Sequence, residues 1–353
     1  MGNGAVYLVS LATATPPYTI GQDEAQAFVG RHYSDRLKSR SLKIMDKCLA
    51  HPGIRRRHLA LDDTSCLVNE DPDRRIARFT RWAVDLSAQA IERALRQCKT
   101  PPDQVAVLVV NTCTGYICPG LSSYLIEKMG FSRNTRAYDL VGSGCGGAVP
   151  NLQMGAGLFQ PGEDGVAVCV SVEICSATFQ MDNDPSLLVS NAIFADGAAA
   201  AVLSNRPGGW KLISSASHHV PEHRELIRYV YKKGQLHNQL SRSLPTVIGK
   251  PVSEAVQSVL VPQGLSIADI DHWAIHGGGQ SIISSVRKEL GLSDAMLLAT
   301  THTLANFGNV SSPSVLFTLR KIMDNGVKAG DRCMVVAFGA GLSIHVLLLQ
   351  TPE

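Results

Sequence analysis

Twice in this chain an apolar run passes through a turn of small residues that carries a reactive side chain, and then enters a helical pattern. The first instance is Leu140-Val141-Gly142-Ser143-Gly144-Cys145-Gly146-Gly147-Ala148, with a helix expected over 146–159. The second is Trp273-Ala274-Ile275-His276, followed by Gly277-Gly278-Gly279 and a helix over Gln280–Leu290. A buried strand feeding a helix through glycines belongs to layered α/β architecture. Its appearance in both halves hints at a duplicated α/β unit rather than a short-period repeat.

The remaining pattern agrees. Strands are expected at 6–14, Val105–Asn111, Arg136–Leu140, 165–173 and 192–203, then at His272–Ile275. Two more, 332–338 and 342–349, pair around Gly339-Ala340-Gly341. Helices are expected at 22–32, 119–129, 252–261 and 310–323. A long amphipathic helix over 75–97 places Trp82, Ala83, Leu86, Ala90 and Ala94 near one face. The break Asn205-Arg206-Pro207-Gly208-Gly209 divides the chain into units 1–206 and 207–353. At 353 residues and 45% hydrophobic, the chain can bury a large core. Only 18% of residues are charged, which suggests surface buried between subunits. A net charge of +3 is too small to argue for nucleic acid. No run of about 18 apolar residues predicts a membrane span, and the first ten residues lack the features of a secretory leader.

The nine cysteines show no CxxC spacing, and several sit in apolar strands. That fits reduced thiols in a cytoplasmic protein better than disulfides or zinc. Cys145 stands at an expected helix N-terminus, where unpaired N–H groups and the helix dipole favour a thiolate. The competing reading is an inert buried thiol. His276 at a strand end is either a pocket residue or a structural histidine. Asn309, in Gly308-Asn309-Val310-Ser311-Ser312-Pro313 before a helix, is either functional or an N-cap. Together the three form a more specific set. A Cys–His–Asn constellation can hold a thioester and stabilise an enolate through two donors. A cysteine protease uses the same residue types, but there the nucleophile sits near the mature N-terminus.

These residues resemble a known family. Gly144-Cys145-Gly146-Gly147, Trp273-Ala274-Ile275-His276-Gly277-Gly278, Gly308-Asn309-Val310-Ser311-Ser312 and Ala337-Phe338-Gly339-Ala340-Gly341-Leu342-Ser343 look like type III polyketide synthases, the chalcone synthase superfamily. Ala192-Ile193-Phe194-Ala195-Asp196-Gly197 is similar too, and the likeness runs from Val6 to Leu349 with a bacterial flavour. It implies a thiolase-like fold, two similar halves in a five-layered αβαβα sandwich, assembled as a homodimer. It implies malonyl-CoA and an acyl-CoA starter as substrates, with no metal or bound cofactor. Cys145 would carry the acyl chain. His276 would pair with Cys145 to keep it a thiolate and, with Asn309, hold the enolate after decarboxylation. Repeated Claisen condensation and cyclisation would give a pyrone, resorcinol or other phenolic product.

The resemblance also marks secondary positions. Phe194 matches the gatekeeper between CoA tunnel and cavity. Cys113, Cys175, Thr178, Tyr229, His237 and Ser311 fall at cavity positions. CoA contacts fall near Lys47, Arg55 and Arg56, where a guanidinium can grip phosphate bidentately. Cys118 matches the residue that reaches across the dimer. This chain departs from plant members at Gly277, where they carry proline, and at His237-Asn238, where the second gatekeeper phenylalanine is missing. Tyr229 replaces a small residue. The alternatives are a single-round ketoacyl synthase or thiolase-type enzyme of fatty-acid metabolism, and a non-catalytic scaffold. The intact Cys145, His276 and Asn309 argue against the scaffold.

Overall fold

The structure is a computed structural model that describes residues 4–68, 71–159, 164–232 and 234–353. Residues 1–3, part of the stretch read for a leader, lie outside the described residues. The first part of the chain forms β1 (Tyr7–Ala14), β2 (Thr19–Gly21), α1 (Gln22–Tyr33), α2 (Ser39–Leu49) and β3 (Arg56–His58). It continues through α3 (Pro72–Gln97), β4 (Val105–Asn111), α4 (Leu121–Met129), β5 (Arg136–Leu140), α5 (Ala148–Gly157), β6 (Val166–Ile174), α6 (Pro185–Ile193) and β7 (Asp196–Ser204). The rest forms β8 (Trp210–His219), a hairpin of β9 (Ile227–Lys232) and β10 (Gln235–Leu240), α7 (Leu244–Val247) and α8 (Gly249–Leu260). After these come β11 (His272–Ile275), α9 (Gln280–Leu290), α10 (Leu298–Phe307), α11 (Ser314–Asp324), β12 (Arg332–Gly339) and β13 (Ser343–Gln350).

Nine strands hydrogen-bond in the order β11-β12-β13-β8-β1-β7-β6-β4-β5. The seam is β1 with β8, which pair over only two positions, Tyr7↔Lys211 and Leu8↔Trp210. Strand alternation explains the layers. In β4, β6 and β7 one face (Val107, Val109, Ala167, Cys169, Ala199, Ala201) joins a cluster with α5 and α11. The other face (Leu108, Val110, Val168, Val170, Ala200, Val202) packs on α3 and α4. In β12 and β13, Cys333, Val335, Ala337, Leu347 and Leu349 enter that same central cluster. Met334, Val336, Phe338, Ile344 and Val346 pack on α8 and α9. Both faces of these strands are covered, so they read as apolar runs. The result is helix, sheet, central helices, sheet, helix.

Several boundaries differ from expectation, among them the helix expected over 310–323, which begins at Ser314; two others follow from aspartate caps. The helix expected from 75 begins at Pro72, because the Asp71 carboxylate accepts from the Asp73 and Arg74 N–H groups. Such a cap contributes about 1 kcal/mol. Its core face centres on Phe79, Ala83, Leu86 and Ile91, with Trp82 only partly buried. The strand expected over 192–203 is a helix end followed by a strand. Asp184 caps α6 through Ser186 N–H, the helix runs to Ile193, and β7 begins at Asp196. That break places Phe194 between two elements.

Candidate active site

Cys145 sits in a 3-10 turn, Gly144–Gly146, between β5 and α5. Gly144 takes φ +55, a conformation that costs a residue with a Cβ. The turn is pressed against the far half of the molecule. A Cβ on Gly339 would collide with the Ser143 carbonyl and the Gly146 amide. The closing Phe338-Gly339-Ala340 motif is thus a backbone seat for the nucleophile turn.

His276 follows β11, its N–H donating to the Val336 carbonyl at 2.8 Å. Its ring stands edge-on to Phe338, with centroids 5.0 Å apart. It is 1% exposed, and Nδ1 has no partner among the described residues. Asn309 follows α10. Its backbone bridges to the Phe194 segment: Asn309 N–H donates to Ile193 O at 2.8 Å, and Ala195 N–H donates to Asn309 O at 2.9 Å. Asn309 Oδ1 accepts from Ser311 N–H at 2.8 Å, so the amide presents Nδ2 on its other side. Asn309 therefore does cap, but it caps its own loop rather than the α11 N-terminus, where Pro313 stands.

Cys145, His276 and Asn309 line one cleft of about 750 Å³, with Phe194, Ile193, Leu304 and Phe338. That volume lies within the range of small-molecule sites. Lys47, His51, Arg242 and Gln280 also line it. Behind Phe194, Cys175 and Thr178 lies a second, narrow cavity of about 50 Å³, walled by Ile20, Val29, Met45, Leu49 and Leu67.

Burial opposes the expected thiolate. Burial pushes the Cys145 thiol up to about 12, against a lowering hydrogen bond from Ser311, and the Glu173 charge adds to the rise. Burial holds His276 down at about 3. Burial works against the charged form of each group taken singly.

The other expected positions fall as follows. Cys175 packs with Cys145 and Phe194. Thr178 Oγ1 donates to the Cys175 carbonyl at 2.9 Å and lies 3.5 Å from the Tyr229 hydroxyl. Ser311 Oγ donates to Cys145 Sγ at 3.3 Å and lies 3.4 Å from Cys113 Sγ. His237 is different: it pairs with Val230 across the hairpin, while Tyr229 pairs with Asn238. Its ring lies 3.4 Å from Asp184, on the strand face opposite Tyr229. Lys47 lines the cleft, whereas Arg55 and Arg56 do not. Arg55 reaches Asn306 Oδ1 at 3.3 Å, and Arg56 is exposed. The next residue, Arg57, turns inward and donates to the Asn191 and Phe194 carbonyls at 2.7 and 3.1 Å. Cys118 is exposed in the loop between β4 and α4.

Glu173, a buried carboxylate beside the site, is a residue that the sequence reading missed. It is fully buried and accepts from Ser312 Oγ at 2.5 Å, Cys113 N–H at 2.9 Å, Thr114 Oγ1 at 2.9 Å and Thr112 Oγ1 at 3.2 Å. It ties the Cys113 loop to the loop after Asn309. The available signal was a single carboxylate inside the apolar strand Val166–Ile174.

The chain is similar to known proteins over nearly its whole length. Residues 2–269 match the family model described as FAE1/type III polyketide synthase-like protein. Residues 211–352 match the C-terminal domain of chalcone and stilbene synthases. The chain is 32% identical over 359 residues to the 3,5-dihydroxyphenylacetyl-CoA synthase of Streptomyces toyocaensis, covering 97% of this chain and 89% of that enzyme. It is 28% identical over 342 residues to the 1,3,6,8-tetrahydroxynaphthalene synthase of Streptomyces coelicolor, covering 96% and 90%. The crystal structure of that synthase from Streptomyces coelicolor A3(2) superposes with a TM-score of 0.90 at 25% identity, covering 98% of this chain and 99% of that one.

Proposed function

We propose, from the premise that this chain belongs to the type III polyketide synthase family, that Cys145, His276 and Asn309 are its condensing machinery. The enzyme is an acyltransferase of thiolase-like fold that extends an acyl starter by iterative decarboxylative condensation. The carrying observation is that three residues from distant parts of the sequence line one cleft.

In this reading Cys145 Sγ attacks the starter thioester carbonyl, and His276 takes the thiol proton and returns it to the departing CoA sulfur. Malonyl-CoA then loses carbon dioxide. The enolate oxygen is held by His276 and by Asn309 Nδ2, and the enolate carbon attacks the Cys145 thioester. The extended chain returns to Cys145 and the cycle repeats. Lys47 and Arg242 at the cleft lining suit the phosphates of CoA. The cleft of about 750 Å³, with Ile193, Phe194, Leu304 and Phe338 on its walls, supports a growing chain as occupant. The products named for the two relatives are phenolic, which supports a phenolic product here as well. All nine cysteines are free, which supports a reducing, cytoplasmic setting.

A homodimer is supported by the β5 edge, the last strand of the sheet. Tyr138 on it is 38% exposed, Val141 beyond it 62% and nearby Tyr116 70%. An apolar unpaired edge of this kind needs a cover. Sedimentation of a single chain would remove that part of the reading.

Incubating the enzyme with malonyl-CoA, alone and with short, long-chain and aromatic acyl-CoA starters, should give products containing several malonyl-derived units by mass spectrometry. Products with one unit only would favour a single-round ketoacyl synthase. In the same assay Lys47→Glu should raise the KM for malonyl-CoA roughly tenfold, the scale of one lost charge-assisted contact. An unchanged KM would take Lys47 out of the CoA site.

A further inference from the structure

Val107 and Val109 on β4, with Ala167 and Cys169 on β6, turn one face of the sheet toward the central helices. Further along each strand the same face becomes polar, at Asn111 and Ser171. Asn151 on α5 and Ser312 in the loop after Asn309 meet them there. All four residues are 4% exposed or less. A buried polar group is costly unless its partners are in place, and a satisfied set of them fixes one arrangement of the elements that carry it.

The bonds have one direction. Ser312 Oγ spends its only proton on the Glu173 carboxylate at 2.5 Å, so toward Asn111 it accepts, from Nδ2 at 2.8 Å. Asn111 Oδ1 then faces the other way, and accepts from Ser171 Oγ at 2.6 Å and from Asn151 Nδ2 at 2.8 Å. Asn151 Nδ2 gives its second proton to the Val170 carbonyl at 2.7 Å. The Asn111 amide also lies directly on the nucleophile turn: a Cβ on Gly147, two residues after Cys145, would stand 2.7 Å from Nδ2. We propose that Asn111 is a positioning residue that holds Cys145 and Asn309 in register for carbon–carbon bond formation. It reaches the nucleophile through Gly147 and Asn151, and the enolate holder through Ser312, three residues beyond Asn309. Loading uses Cys145 with His276, and decarboxylation uses His276 with Asn309. Only condensation brings Cys145 and Asn309 together, because the enolate carbon must sit about 3–3.5 Å from the thioester carbonyl. A displacement of about 1 Å between the two can cost on the order of 10²-fold in that step and little in the others.

This rests on Cys145 and Asn309 being the condensing machinery, and one set of measurements separates the two ideas. Three quantities are followed on the same samples: the acyl adduct on Cys145 by intact-protein mass spectrometry, carbon dioxide released from malonyl-CoA, and extender units built into product. If wild type forms no adduct on Cys145 or releases no carbon dioxide, the machinery is misassigned and the role of Asn111 falls with it. Given a working wild type, Asn111→Ala should raise carbon dioxide released per unit incorporated at least about tenfold, with loading and decarboxylation within about twofold of wild type. Asn151→Ala breaks the link to α5 and should raise the ratio in the same direction. Adding it to Asn111→Ala should change the ratio little further, since both act through one connection. Asn151→Ala also carries the test if Asn111→Ala does not fold. Ile91→Ala, a buried core change on α3, should lower thermal stability and leave the ratio at the wild-type value. An unchanged ratio in Asn111→Ala and Asn151→Ala, an equal fall in all three quantities, or a rise of the same size in Ile91→Ala would assign Asn111 to stability alone and overturn the proposal.

Discussion

Cys145→Ala should lose polyketide formation by at least about 10³-fold, on the scale seen when a covalent nucleophile is removed. The methyl group fits, since alanine is smaller than cysteine and the turn geometry depends on Gly144 and Gly339 rather than on the thiol. Folding should therefore survive, and thermal unfolding should be close to wild type. What disappears is the acyl carrier. Intact-protein mass spectrometry after incubation with an acyl-CoA should show the acyl adduct on wild type and none on the variant. Slow release of carbon dioxide from malonyl-CoA should persist in the variant, because His276 and Asn309 remain. A variant that still extended starters would remove the covalent mechanism.

Asn309→Ala should act on the other step. Loss of one donor to a developing oxyanion costs about 2.7–4 kcal/mol, or 10²–10³ in rate. Decarboxylation of malonyl-CoA should fall by that factor, while loading of Cys145 by a starter should be nearly unaffected. The two variants thus divide the cycle: one blocks loading and keeps decarboxylation, the other does the reverse. Asn309 Oδ1 also holds Ser311 N–H and lies 3.5 Å from Ser314 Oγ. A small loss of stability should therefore accompany the kinetic effect. If Asn309→Ala left decarboxylation at the wild-type rate, the enolate would have to be held elsewhere.

The layered architecture was legible because strand alternation and glycine turns are local signals. Cys145, His276 and Asn309 were legible because each sits at a strand or helix end beside small residues. What was illegible depends on distant partners. Ala192-Ile193-Phe194 is as apolar as the strand that follows, and only the Asp184 cap that starts the helix and the bridge to Asn309 beyond its end separate the two elements. Arg55, Arg56 and Arg57 look equivalent in sequence, yet Arg57 faces inward because the Asn191 and Phe194 carbonyls await it. His237 and Tyr229 sit on opposite faces of a hairpin whose register no single strand reveals. The helix end at Cys145 is visible in the sequence, while the depth of its burial is not.

The bridge between Phe194 and Asn309 has a consequence for how this enzyme can diversify. Residue 194 lines both the cleft and the narrow cavity, and residue 309 bears the amide proposed to hold the enolate; their backbones are stitched together. A change that swings residue 194 aside to admit a broader starter will drag the asparagine with it. Breadth of substrate choice and turnover are therefore coupled through one stretch of main chain. Variation that alters the bulk at 194 and leaves its backbone in place is the route by which a lineage could explore new starters without slowing the chemistry.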